Sequence, residues 1–287
     1  MNTETKFANV NGIRIAYERD GSGFPLLLLH GYPETRRMWR VVASALTERF
    51  DIVNMDLRGY GESERPADPD TCNKRTMGED ALALARSLGW ERFLIAGHDR
   101  GARASRRLAA DHPEALVGAS LLDILPMEYV FDQGRDGYAR RYWHWYFFLQ
   151  RGLPERLINQ DPEGFLTQLF RRRGDVLDPE NVAHYISSFA TPGSVDSILG
   201  DYRTAFEVDR PRWKEEVAAG QKVTVPLQVL WGELGNVNDE PALELWRTVA
   251  EDVRGSVVLG SGHYIPEEQP QEVIRLLNEF ADELGLP

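Results

Sequence analysis

Short, nearly continuous apolar runs recur along this chain at 13–17, 26–30, 52–56, 93–97, 117–122, 227–231 and 257–259, with helical patterns between them at 38–47, 77–88, 101–111, 241–250 and 271–284. Runs that are apolar throughout, rather than alternating, fit strands covered on both faces. Strands that take turns with helices predict an α/β chain built on a mostly parallel, doubly wound sheet. One interval departs from this rule. From 126 to 223 no strand pattern is evident, and Arg and aromatic residues are frequent. Asp161-Pro162-Glu163 and Asp178-Pro179-Glu180 give helix-start signals there, in which Asp caps and Pro occupies the first turn. The interval is far too long for a plain loop. It is expected to be a helical cap inserted between two parts of the sheet domain, 1–125 and 224–287.

The run at 93–97 leads directly into Gly97-His98-Asp99-Arg100-Gly101. Small residues two positions either side of a central residue, between a strand and a helix, form the elbow that lifts a nucleophile out of a sheet. Serine usually occupies the centre; here it is Asp99. A serine must lose a proton before it attacks. A carboxylate is anionic at neutral pH and can displace a leaving group from a saturated carbon without a base, forming an alkyl ester on the protein. Unpaired N–H groups and the macrodipole at a helix N-terminus favour that ionised form. Asp is also a common N-cap, but capping alone does not call for flanking glycines after a buried strand.

Composition narrows the partners. With 42% hydrophobic and 27% charged residues, the chain has an ordinary globular make-up that can bury a substantial core. A net charge of −12 gives nucleic acid and anionic membranes the wrong long-range sign. By the same reasoning an anionic substrate needs local positive charge to overcome the average field. No apolar run approaches the ~18 residues of a membrane span. The N-terminus, Met1-Asn2-Thr3-Glu4-Thr5-Lys6, lacks the apolar stretch of a secretory signal, so a cytoplasmic location is expected. The single cysteine, Cys72, excludes an intramolecular disulfide and is expected to be inert. With neither a Cys/His cluster nor a glycine-rich phosphate cradle, no metal and no cofactor is expected.

His30-Gly31-Tyr32-Pro33 and Asp56-Leu57-Arg58-Gly59-Tyr60-Gly61, each after an early strand, combine with the elbow in a pattern that resembles the α/β-hydrolase superfamily over essentially the whole chain. More narrowly, Gly97-His98-Asp99-Arg100-Gly101-Ala102-Arg103, Leu122-Asp123-Ile124, Tyr142-Trp143-His144-Trp145-Tyr146 and Asp201-Tyr202-Arg203 are similar to the fluoroacetate (haloacetate) dehalogenases. The resemblance implies hydrolysis of a small anionic 2-haloacid to the 2-hydroxy acid plus halide, in a homodimer. It also implies that His144, Trp145 and Tyr202 hold the departing halide. Each carries an N–H or O–H donor, and donors that tighten as charge develops lower the barrier for a poor leaving group such as fluoride. The family often has Phe where this chain has Tyr32, a departure that leaves the backbone donor in place.

A hydrolase of this design needs a base to drive water onto the ester, and His263, in Gly260-Ser261-Gly262-His263 after the last strand, is the candidate. The acid that orients it stands after either of two strands in this superfamily. Asp123 is one option; Glu233 and Asp239, in the stretch 232–239, are the others. The usual position in that stretch is Gly235 or Asn236 here, which favours Asp123. Backbone N–H groups of Tyr32 and Arg100 are expected to meet the charge that develops on the Asp99 carbonyl oxygen. Arg100 and Arg103 share the first turn of the elbow helix, where cations oppose the macrodipole. A bound carboxylate clamped by both would resolve that conflict, at roughly 1.5–3 kcal/mol per charge-assisted bond; two solvated surface arginines are the alternative. Arg58, His98 and His112 are read as architectural.

Other activities share parts of this pattern. An epoxide hydrolase would use the Asp nucleophile with cap tyrosines as acids, and Tyr138, Tyr142, Tyr146, Tyr185 and Tyr202 are candidates. The Arg100 and Arg103 pair has no use on a neutral ring, and no acid stands at Gly235 or Asn236. A haloalkane dehalogenase is expected to place Trp where Arg100 follows the nucleophile. A non-catalytic ligand receptor on the same fold has no need to keep Asp99, Asp123 and His263 together.

Overall fold

The computed structural model of the chain describes residues 4–130, 140, 142–171 and 176–287. Its strands are β1 Lys6–Val10, β2 Ile13–Asp20, β3 Phe24–Leu29, β4 Phe50–Met55, β5 Phe93–His98, β6 Leu116–Leu122, β7 Leu227–Gly232 and β8 Val253–Val258. They form one eight-stranded sheet in the order β1-β2-β4-β3-β5-β6-β7-β8. β1 and β2 run antiparallel to their neighbours, and the pairs from β4 through β8 are parallel. Every apolar run predicted as a strand overlaps one of these. β1 was not foreseen because it is an edge strand, mostly exposed, with no apolar run to mark it. β8 begins earlier than the predicted 257 because Arg254, Gly255 and Ser256 interrupt its apolar character at the opposite, half-exposed edge.

Helices cover both faces, as the fully buried central strands require. In chain order they begin with α1 Arg40–Leu46, α2 Lys74–Ser87 and α3 Asp99–Asp111. Asn73 caps α2 by accepting the Thr76 N–H at 2.9 Å. Between β6 and β7 every described element is helical: α4 Met127–Val130, α5 Trp143–Phe148, α6 Leu153–Ile158, α7 Pro162–Arg171, α8 Pro179–Phe189, α9 Ser194–Thr204 and α10 Arg210–Ala218. Both sequence start signals act as expected. Asp161 accepts the Gly164 N–H and Asp178 the Glu180 N–H, each at 2.8 Å, with Pro162 and Pro179 opening the helices. A π-helical turn, Ala205–Asp209, joins α9 to α10. The chain closes with α11 Ala242–Val249, α12 Ile265–Glu268 and α13 Pro270–Glu283. No helix among the described residues is long and apolar enough to cross a membrane.

The turn from β5 into α3 is so tight that its glycines are obligatory. A Cβ on Gly97 would stand 2.6 Å from both the Ala102 nitrogen and Ser105 Oγ. One on Gly101 would stand 2.5 Å from the His30 carbonyl oxygen and 2.6 Å from that of Leu29. The helix therefore starts pressed against the end of β3, and Asp99 between the glycines takes the left-handed conformation at φ 42°. Gly101→Ala is expected to lose about 1–3 kcal/mol through overpacking against backbone, read as a lowered urea midpoint. Gly89→Ala, at φ +85° with open space around it, supplies the control for backbone strain alone. Equal midpoints for the two variants would contradict this account of the elbow.

Candidate active site

Loops at the C-terminal ends of the parallel strands converge, where open α/β sheets place their ligands. Tyr32 follows β3, Asp99 β5, Asp123 β6, Gly235 and Asn236 β7, and His263 β8. Together with Arg103 from α3 and Tyr142, His144, Trp145 and Tyr202 from the helical segment, they line a cavity of about 100 Å³. That volume accommodates a handful of waters or a solute of a few heavy atoms.

Asp99 faces this cavity, and its Oδ2 accepts the Tyr32 N–H at 3.2 Å. Burial alone would push its carboxyl up. Electrostatic interaction with His263, Arg100, His98 and Arg103 outweighs burial and holds it well below the usual carboxylate range. The nucleophile candidate is thus ionised without a dedicated base. First-turn N–H groups of a helix have no intrahelical partner, and the Arg100 N–H belongs to that first turn, next to Asp99.

His263 Nδ1 lies 2.5 Å from Asp123 Oδ2, while Asp123 Oδ1 accepts the Gly232 N–H at 3.2 Å. Asp123 also sits at a left-handed φ, 52°, which turns its carboxylate back toward the histidine. Glu233, one alternative, instead takes the Gly260 N–H at 2.9 Å. His98 has the architectural role expected of it: its Nε2 lies 2.7 Å from the His263 carbonyl oxygen, with the two rings 4.7 Å apart. Burial, reinforced by His263, pushes His98 down to about 3, so it is neutral and its Nε2–H donates to that carbonyl. The imidazole loop is thereby tied to the elbow.

His144, Trp145 and Tyr202 all line the cavity, with ring centroids of His144 and Trp145 at 6.0 and 6.1 Å from Tyr202. Burial, then the Asp99 charge, pushes the Tyr202 phenol far up, so it remains a donor. Tyr142 reaches across to hydrogen-bond Asn236. Of the other tyrosines considered as acids, Tyr146 is exposed, Tyr185 is buried off the cavity, and Tyr138 lies outside the described residues.

The two arginines separate, which corrects the expectation of a symmetrical clamp. Arg103 lines the cavity, its guanidinium 5.3 Å from the Trp145 ring and its Nη1 donating to the Leu125 carbonyl at 3.3 Å. Its Nε is buried without a partner. Burial and then Arg100 bring Arg103 down to about 10, which leaves it charged at neutral pH. Arg100 is also buried but is not among the lining residues. Its Nε donates to Asp201 Oδ2 and its Nη2 to the Asp201 carbonyl, both at 2.9 Å, with a further bond to Asp201 Oδ1. The carboxylate partner predicted for Arg100 is therefore supplied by the chain itself. Sequence reasoning quoted Asp201 beside Tyr202 without giving it a role, and passed over Lys74 and Tyr60, which bond the same carboxylate. Acid–base pairs distant in sequence leave no local pattern.

Among the described residues no group of His, Cys, Asp or Glu is placed to hold a metal ion. Cys72 is buried, and burial pushes its thiol up to about 12. The hydroxyl of Tyr32 is buried with no hydrogen-bond partner. A buried polar group without a partner costs about 1–3 kcal/mol, so Tyr32→Phe is expected to raise stability by about 1 kcal/mol. Chemical denaturation measures this, and a lowered midpoint would mean that the hydroxyl is bonded after all.

The alpha/beta hydrolase fold family matches residues 25–270. The chain is 35% identical over 286 residues to a fluoroacetate dehalogenase from Burkholderia sp, covering 96% of this chain and 93% of that one. It is also 35% identical over 283 residues to a soluble epoxide hydrolase from Corynebacterium sp. (strain C12), covering 95% of each. The crystal structure of ALR0039 from Nostoc sp PCC 7120 is similar with a TM-score of 0.92 and 37% identity, over 97% of this chain and 98% of that chain. The two curated relatives are equally similar, so the choice between their activities falls to the cavity.

Proposed function

This chain belongs to the alpha/beta hydrolase family, and we propose that within it the protein hydrolyses small 2-haloacids such as fluoroacetate, with Asp99 as nucleophile and His263 as base. The observation that carries this reading is the charged guanidinium of Arg103 in the wall of a cavity of about 100 Å³ that also holds Asp99. A buried cation facing a polar cavity calls for an anion of matching size. A haloacetate has few enough atoms to fit. A neutral epoxide brings no anion to Arg103.

The carboxylate of the acid pairs with Arg103, which brings its α carbon toward Asp99. An Asp99 oxygen bonds to that carbon as the carbon–halogen bond breaks, and the halide leaves toward His144, Trp145 and Tyr202. Their donors strengthen as the halogen gains charge, so they act on the transition state more than on the bound substrate. Water then gives a proton to His263 and adds to the ester carbon, while the Tyr32 and Arg100 N–H groups meet the oxyanion. Collapse breaks the bond between the Asp99 carboxyl carbon and the Asp99 oxygen now bonded to the substrate's α carbon. The oxygen takes the proton from His263 and leaves as the hydroxyl of the product, and Asp99 returns its remaining proton to solvent. Asp123 holds the imidazole and balances its charged form.

Tyr142 and Tyr202 in the cavity wall favour one second reading, epoxide hydrolysis with the tyrosines as acids. Halide and diol release from fluoroacetate, chloroacetate and a small epoxide separates the two. The dehalogenase reading predicts halide without diol; diol without halide overturns it. Asp99→Ala abolishes turnover, and His263→Asn gives one equivalent of halide and an ester detectable by mass spectrometry. Because the wild-type nucleophile is ionised well into the acid range, the wild-type burst of halide release in the first turnover keeps a constant rate from about pH 5 to about pH 8. A burst that follows a titration in this window would remove Asp99 from the role. Arg103→Ala raises KM about 10- to 100-fold, the loss of a charge-assisted bond, with a smaller change in kcat.

A further inference from the structure

Behind the cavity wall lies a cluster of charges that the reaction above does not use. Asp201 in α9 is completely buried, and four donor groups converge on it. Lys74 Nζ bonds Oδ1, Tyr60 Oη donates to Oδ2 at 2.9 Å, and Arg100 takes both carboxylate oxygens and the backbone carbonyl. Lys74, Tyr60 and Arg100 come from the sheet domain, whereas Asp201 comes from the helical segment. Lys74 is itself fully buried and also touches Met77 Sδ at 3.4 Å, while its N–H reaches Asp209 at 3.1 Å. The helix carrying Asp201 is seated on backbone: a Cβ on Gly200 would fall 2.2 Å from the Pro69 carbonyl oxygen.

The carbonyl gripped by Arg100 belongs to the peptide that links Asp201 to Tyr202. The same guanidinium lies over the Tyr202 ring, 4.3 Å from its centroid. We propose that Asp201 is the positioning residue of the leaving-group pocket: pinned by Lys74 and Tyr60, it fixes Arg100 and, through the adjoining peptide, the hydroxyl of Tyr202. Three physical links support the assignment. A carboxylate with all its lone pairs engaged has one orientation. Its two cation partners cannot leave without stranding a buried charge. A cation over a phenol face draws electron density from the ring, which makes the hydroxyl a stronger donor. The Arg100 charge is favourable in that place because Asp201 balances it.

The inference rests on the dehalogenase reading for its pocket, and it predicts a selectivity, not only a loss. Fluoride leaves with more need of a placed donor than chloride, so disturbing Tyr202 costs fluoroacetate more. Asp201→Asn keeps the shape and removes the charge. It is expected to lower the fluoroacetate-to-chloroacetate ratio of kcat/KM on the order of tenfold, part of the 10²–10³ that a whole oxyanion donor supplies. Tyr60→Phe removes one bond, leaves every charge paired, and folds even if Asp201→Asn does not; it is expected to shift the ratio in the same direction by less. A merely structural role would lower both rates together and leave the ratio unchanged, and that result in Tyr60→Phe and Asp201→Asn overturns the proposal. Quenching of tryptophan fluorescence by chloride, with Trp145→Phe as control, reads the pocket without turnover. Weaker quenching in Tyr60→Phe upholds the positioning role even where the wild type releases no halide, an outcome that would sink the dehalogenase reading alone. Unaltered quenching there would sink the positioning role.

Discussion

The site depends on keeping a carboxylate charged where water is nearly excluded. Asp99 is buried at the N-terminus of α3, in a left-handed conformation held by backbone contact between α3 and β3. An isolated carboxyl in such a place would take up a proton, because burial penalises the charged form. The surrounding cations and the free N–H groups of the first helical turn reverse that outcome. In the proposed reaction desolvation then favours attack, since an ionised oxygen stripped of water is a better nucleophile than a hydrated one. The strain of the elbow and the burial of the charge are two aspects of one arrangement, and both rely on glycine at 97 and 101.

Concentrating positive charge around Asp99 creates a second problem, which the distant part of the chain resolves. Arg100, Arg103 and Lys74 are all buried, close to one another and under the helical segment. Burial pushes Lys74 down to about 8, with Arg100 adding to the effect, and only Asp201 and Asp209 oppose it. Burial also pushes Asp209 up to about 6, yet it remains largely ionised at neutral pH beside Lys74. The helical segment thus brings two carboxylates to a core that carries an excess of cations. A buried ion pair contributes little net stability against an apolar equivalent, but removing one member is strongly destabilising. Such a network therefore fixes how the segment seats on the sheet more than how tightly it does so.

Elements that rest on local pattern were legible in the sequence, and elements that rest on distant pairing were not. The buried strands announce themselves because both faces must be apolar, as at Leu26 to Leu29 with no exposure at all. The elbow is legible because only glycine tolerates its close contacts. Edge strand β1 is not, and of β8 only the C-terminal end is, since one side faces water and polar residues serve there equally well. The same division runs through the site. Asp99, Asp123 and His263 could be placed by strand order, and the structure brings Asp123 and His263 within hydrogen-bond reach. The partnership of Arg100 with Asp201 spans 101 positions and leaves no trace in either neighbourhood. Reading Arg100 as half of a clamp on a bound carboxylate failed because a cation at a helix start needs a counter-anion, and sequence alone does not say whether ligand or chain provides it.

In the proposed dehalogenation this division of labour between the arginines has a chemical consequence. A cation in the cavity wall stabilises a bound carboxylate equally before and during displacement, so Arg103 acts on binding. The donors around the leaving atom act differently, because the halogen carries little charge in the substrate and a full one when it departs. Arg100 stands outside the cavity lining with its guanidinium over the Tyr202 ring, and in the proposed reaction this adds an influence of the second category. An arginine beside a nucleophile that is taken up by a carboxylate of its own chain is therefore not idle. In the proposed reaction it contributes through the Tyr202 ring, by an interaction that grows as the carbon–halogen bond breaks.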